Sequence, residues 1–140
     1  EKLARLEKAA GETAVAYDDQ AARLSEARHG AAQGLARTVM AELPALKLER
    51  AEFIVDIASD GSDRREEGID HVEFHVRTNP GTRAGPMMKV ASGGELSRFL
   101  LALKVVLAEA SPVPTLVFDE VDSGVGGAVA APGAGVRRDL

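Results

Sequence analysis

At 140 residues the chain has the size of one domain, or of a segment of something larger, with 45% hydrophobic residues and only 4% aromatics. A net charge of −5 argues against a generally basic protein that coats nucleic acid, while leaving room for a local basic face. The absence of cysteine excludes disulfides and thiolate metal sites; with no signal peptide and no apolar run near the roughly 20 residues of a membrane span, a soluble, cytoplasmic protein without membrane contact is expected.

Residues 1–43 are rich in Ala, Leu, Glu, Arg and Lys, all good helix formers, and predict one long helix. Every seventh residue from Leu3 gives Ala10, Tyr17, Leu24, Ala31 and Thr38, an apolar seam at coiled-coil spacing. The companion positions are poorer: Leu6 is apolar, but Thr13 and Gln20 are not. A coiled-coil arm and a plain amphipathic helix packed on a core therefore both stand. Gly30 and Gly34 are expected to loosen the last turns, and Pro44 to end the helix.

In "AEFIVDI" Phe53, Val55 and Ile57 alternate with Glu52, Ile54 and Asp56, which predicts a strand with one buried face. "SDGSDRREEGID" reads as a polar connector. "HVEFHVR" alternates again, with Val72, Phe74 and Val76 on one side and His71, Glu73, His75 and Arg77 on the other. Two strands and a polar turn predict an antiparallel hairpin. The shared face of His71, Glu73 and His75 is read as a solvated outer surface rather than a metal site, because nothing nearby adds further ligands.

"NPGTRAGP" is a breaker-rich loop, followed by a helix predicted over about 93–110. Leu96, Phe99, Leu100, Leu103, Val106 and Leu107 form its apolar stripe, and Ser92 with Glu95 matches the S-x-x-E capping box. A capped core helix explains those residues but not Gly93 and Gly94, since glycine costs about 1 kcal/mol in a helix relative to alanine. A helix N-terminus has unpaired N–H groups and partial positive charge, and side-chain-free residues there admit an anion close to the backbone. After the breaker "SPVP", the short apolar strand "TLVFD" ends in the acids Asp119 and Glu120. Aspartate there suits Mg²⁺ and a neighbouring glutamate can polarise an attacking water, the pattern of a Walker B strand.

Together, "ASGGELSR" and "TLVFDEVDSGVGG" resemble the C-terminal half of an ABC-type ATPase head of the SMC-related group, in wording closest to a bacterial DNA-repair branch. The resemblance covers 87–127 strongly. It implies that Ser92, Gly93, Gly94 and Glu95 lie in the signature motif, facing the γ-phosphate of ATP held by an opposing head. It makes Asp119 the Mg²⁺-site acid and Glu120 the catalytic glutamate, with Ser123, Gly124, Val125 and Gly126 in the D-loop. Most members end the D-loop in aspartate where this chain has Gly126, a departure that agrees with the repair branch. After Gly127 the match weakens: the family's switch histidine has no counterpart, and "APGAGVRRDL" stands where the family continues into a helix.

No G-x-x-x-x-G-K-[ST] occurs anywhere in the chain. The expected fold is α/β (α+β), with a coiled-coil-type arm at 1–43 and the C-terminal lobe of an ATPase head at 44–140, lacking the Walker A lobe. ATP and Mg²⁺ are the cofactors implied. The implied partners are an N-terminal lobe carrying Walker A, a second head in a homodimer, and DNA in a nucleoid-associated setting. Arg64, Arg65, Arg83, Lys89 and Arg98 are the candidate DNA contacts. Alone, the chain is expected to be inactive. The alternatives are a non-enzymatic coiled-coil interaction module in which 1–43 does the work, or a head fragment of another SMC-like ATPase.

Overall fold

The computed structural model describes residues 1–108; the expected strand at 115–119 and the site candidates Asp119, Glu120, Ser123, Gly124 and Gly126 lie outside them. The elements are helix α1 (Lys2–Glu42), a 3-10 turn (Pro44–Leu46), strands β1 (Glu52–Ser59), β2 (Asp70–Arg77) and β3 (Gly85–Pro86), a short helix α2 (Met87–Val90) and helix α3 (Gly93–Ala108). The strands form an antiparallel sheet in the order β1-β2-β3, with His75 opposite Pro86 and Val76 opposite Gly85. The class is α+β.

Helix α1 runs unbroken through Gly30 and Gly34, against the expectation of loosened last turns. Its C-terminal stretch packs Leu35, Ala36, Val39 and Met40 into or against a core, joined by Leu43 just beyond it, and that burial outweighs the weak propensity of two glycines. Pro44 follows without an N–H to continue the ladder and opens the 3-10 turn, which Lys47 closes in the left-handed region at φ 58°. The heptad seam is not the shielded face of α1. Leu3, Ala10, Leu24, Ala31 and Thr38 are exposed, and of that series only Tyr17 is half-buried.

The described residues divide into two compact units, Glu1–Gly34 with Asp56–Glu73, and Leu35–Val55 with residues 74–108. In the first, Ala14, Tyr17, Ala21, Ser25 and Arg28 recur at helical spacing as the shielded face of α1. The stretch read as a bare polar connector is an ordered loop bound to that face. The Tyr17 hydroxyl donates to Arg65 O at 2.8 Å and accepts from Arg65 N–H at 3.0 Å. Arg64 donates to both Asp18 carboxylate oxygens at 3.0 and 2.6 Å, with its guanidinium 5.9 Å from the Tyr17 ring centre. Gly68 sits at φ +100°, a backbone conformation that favours glycine, and an added Cβ would lie a tight 3.3 Å from the side-chain ends of Leu24 and Arg28.

The second unit holds the hydrophobic core: Val39, Leu43, Leu48, Ala51, Phe53, Val76, Met87, Phe99, Ala102 and Leu103. Phe53 and Phe74 meet with ring centres 5.4 Å apart, as the alternation of both strands requires. Phe99, fully enclosed, carries the α3 stripe into the core. Two expectations of burial fail at the margins. Val72 is 47% exposed, because the apolar cluster reached by β2 begins only at Phe74, and Leu107 is 46% exposed near the end of the described helix.

Candidate functional site

The N-terminus of α3 is built by a break between two helices. Met87 is buried and anchors α2; the chain turns extended at Ala91 (φ −73°, ψ 138°) and re-enters helix at Gly93. Ser92 and Glu95 form the reciprocal cap expected of them. The Ser92 N–H and hydroxyl both donate to Glu95 Oε2, at 2.9 and 2.8 Å, and the Glu95 N–H reaches the Ser92 Oγ at 3.4 Å. The Ser92 amide, then its hydroxyl, hold the Glu95 carboxyl below the usual carboxylate range. Glu95, expected among the nucleotide-binding residues, therefore has its carboxylate turned back onto the cap.

Ser92, Gly93 and Gly94 are exposed, and a Cβ added at Gly93 would meet nothing within 4 Å. Gly93 is also outside the positive-φ positions. Gly85 makes the contrast: a Cβ there would lie 2.8 Å from the Val90 side chain, so packing inside the chain demands glycine at 85. Neither packing nor backbone conformation demands it at 93. The Gly93 and Gly94 amides are among the first N–H groups of the helix, which lack partners within it. Open space, unpaired donors and the positive end of a 16-residue helix suit this surface to an anion, and the residues present fit a phosphate oxygen.

The basic candidates sort clearly. Arg64 is held by Asp18, and Arg65 by Asp63 at 3.1 Å and by Asp70 O at 2.9 Å. Arg98 donates from Nε to Gly94 O at 3.1 Å and from one terminal nitrogen to Leu46 O at 3.1 Å. These three make intramolecular contacts, whereas Arg83 and Lys89 stand exposed. Among the described residues no group of three His, Cys, Asp or Glu is placed to hold a metal ion. Nor is any helix among them long and apolar enough to cross a membrane.

One cluster went unread in the sequence. The Asp70 side chain is fully enclosed and accepts from the Ser59 and Ser25 hydroxyls, both at 2.7 Å, and from Arg28 at 3.1 Å. The Ser59 hydrogen bond foremost, then Ser25 and Arg28, hold its carboxyl below the ordinary range against the opposing effect of burial. A signal existed: Asp70 shares the period-two parity of Val72, Phe74 and Val76, so a charged residue stood on the inward side of β2.

No family model matches the chain. It is 40% identical over 120 residues to the DNA repair protein RecN of Haemophilus influenzae, covering 86% of this chain and 22% of that protein. It is 38% identical over 133 residues to RecN of Halalkalibacterium halodurans, covering 93% and 24%. Against RecN of Mycobacterium leprae it is 40% identical over 149 residues, covering 93% and 25%. The chain thus spans about a quarter of the length of the curated relatives it matches. Identity at this level along nearly the whole chain, in several RecN proteins, means that the chain belongs to the RecN family of DNA repair proteins.

Proposed function

We propose that this chain is an arm segment and the C-terminal lobe of an SMC-like ATPase head that hydrolyses ATP across a head–head dimer in DNA double-strand-break repair. The observation that carries the reading is the α3 N-terminus: a capped helix end whose Gly93 is required by nothing among the described residues. A surface that stays side-chain-free at a cost to helix stability, with no internal need for it, serves something outside the chain. In this reading Ser92, Gly93 and Gly94 face the γ-phosphate of ATP bound to the opposing head, and Glu95 holds Ser92 in place. Asp119 would hold Mg²⁺, which neutralises phosphate charge when bound, and Glu120 would orient the attacking water. Ser123, Gly124 and Gly126 would complete the D-loop. The partners are the N-terminal lobe carrying Walker A, a second head, and DNA through Arg83 and Lys89.

The test is Ser92→Arg in the complete protein, with the Walker A lobe present. ATP binding to each head should stay near the parental level, because the primary pocket lies on the other lobe. Head dimerisation and hydrolysis should be lost, since a long cationic side chain fills the approach to the Gly93 amide. Hydrolysis near the parental rate would reduce Ser92 and the glycines to a helix cap. That outcome would favour the second reading, a non-enzymatic coiled-coil module, which has its own support in the exposed Leu3, Leu6 and Val15 of α1 (69%, 54% and 70%).

A further inference from the structure

Apolar burial fixes α3 at its middle. Phe99, Ala102 and Leu103 enter the core beside Val39 of α1 and Leu43 just after it, but hydrophobic contact is non-directional and does not by itself fix the rotation or axial position of a helix end. The end that carries Gly93 and Gly94 needs a directional tie. Arg98 is the side chain that makes one. From the second turn of α3 its Nε–H donates back to Gly94 O at 3.1 Å, while a terminal N–H donates to Leu46 O at 3.1 Å and, less closely, to Lys47 O at 3.4 Å. Leu46 and Lys47 close the 3-10 turn that follows the arm helix, and Lys47 is the one non-glycine residue at positive φ among the described residues. A guanidinium is the side chain whose rigid fork can serve separate acceptors at once, here the Gly94 carbonyl and the carbonyls of that turn.

We infer that Arg98 is a positioning residue of the proposed ATPase: it locks the Gly93–Gly94 end of α3 to the turn that ends the arm helix. This rests on the reading of that helix end as the surface that meets the γ-phosphate. Arg98 itself touches no nucleotide in this arrangement. Its effect passes through the backbone of Gly94, so it governs how well the helix end is placed during hydrolysis and not how tightly the Walker A lobe holds ATP.

The experiment compares Arg98→Ala, Arg98→Lys and Ser92→Arg with the parent in the complete protein, by steady-state ATPase kinetics with and without DNA. Loss of positioning by a fraction of an ångström to 1 Å costs up to about 10²-fold in rate. Arg98→Ala should therefore lower kcat by about 10-fold or more while KM for ATP stays within about 2-fold, equally with and without DNA. Arg98→Lys keeps the charge and most of the stem but not the fork, and it should stay impaired. Recovery of the parental kcat by Arg98→Lys would overturn the inference in favour of a charge role, as would a defect confined to the DNA-stimulated rate. Should Arg98→Ala fail to fold, Arg98→Lys decides alone, by the same comparison of kcat with the parent. Ser92→Arg separates the two layers: if it abolishes hydrolysis while both Arg98 variants keep the parental kcat, positioning by Arg98 fails and the helix-end reading stands. If Ser92→Arg is itself active, the underlying reading fails first.

Discussion

At the scale of single residues, Asp70 is where the first unit concentrates its electrostatic risk. An enclosed carboxylate is tolerable only with its oxygens occupied, and here two hydroxyls and a guanidinium occupy them. Removing the acceptor leaves Ser25, Ser59 and the partly exposed Arg28 without it, so Asp70→Ala should destabilise the chain by about 1–3 kcal/mol, the scale for losing a buried hydrogen-bond acceptor. The pH dependence has a definite sign. Because its carboxyl is depressed from the ordinary value of 3.8, the Asp70 contribution is complete above that value and is lost as pH falls through the lower, folded-state value. Thermal melts from neutral pH downward should show the parent losing stability below about pH 4 more steeply than Asp70→Asn. Asp60 and Glu95 are also depressed and titrate in both proteins, so the difference between the two curves isolates Asp70. Equal acid slopes would remove Asp70 from this role. At this scale the sequence was half legible: the parity of Asp70 was visible, but Ser25, Arg28 and Ser59 are distant in the chain, and only the folded backbone brings them to it.

At the scale of the element, α3 sets helix stability against the openness of its first turn. No neighbour occupies the space of a Cβ at Gly93, and its backbone conformation is open to L side chains. Gly93→Ala should therefore stabilise the chain by roughly 0.4–1 kcal/mol, through a less disordered unfolded state. The same methyl group would stand where the opposing γ-phosphate must approach, so ATP-dependent closure should weaken while the melting temperature rises. Opposite movements of stability and activity are the signature of a site kept open for function. A variant that melts lower would assign the glycine to structure, and one that melts higher with hydrolysis unchanged would remove Gly93 from the site. Elements were also what the sequence displayed best. The long helix, the paired strands, the capping box and the apolar stripe through Phe99 follow from short-range periodicity and cap chemistry. Along α1 the heptad seam of exposed Leu3, Ala10 and Leu24 and the shielded face of Ala14, Ala21 and Arg28 are two different stripes, and period alone does not tell which of them meets the body of the chain. The loop at 60–69 was legible as a polar connector but not as a bound one. Polar composition does not distinguish a solvated connector from one whose polar groups are bound by Tyr17 and Asp18.

At the scale of the whole molecule, the proposed function needs parts this chain does not encode, since no Walker A sequence occurs in it and it spans about a quarter of its relatives. Hydrolysis then becomes a property of an assembly, and Glu120 is the residue whose loss should separate assembly from chemistry. In phosphoryl transfer the protein supplies mainly position and electrostatics, with one group orienting the attacking water. Glu120→Gln in the complete protein keeps the shape and a hydrogen bond but loses the charge and basicity of the carboxylate. ATP should still bind, and the two heads should still close around it. Hydrolysis should fall by roughly 10²-fold or more, the usual scale for losing a general base, so the closed dimer should accumulate. Asp119→Asn should behave differently, weakening the Mg²⁺ site and with it nucleotide-dependent closure. Size-exclusion chromatography with light scattering, run with and without ATP on both variants beside the parent, reads the difference directly. A Glu120→Gln protein that turns over ATP normally, or that stays monomeric with ATP while the parent dimerises, would take Glu120 out of the catalytic role. If Asp119→Asn instead traps the closed dimer as Glu120→Gln is expected to, the roles of the two acids are exchanged.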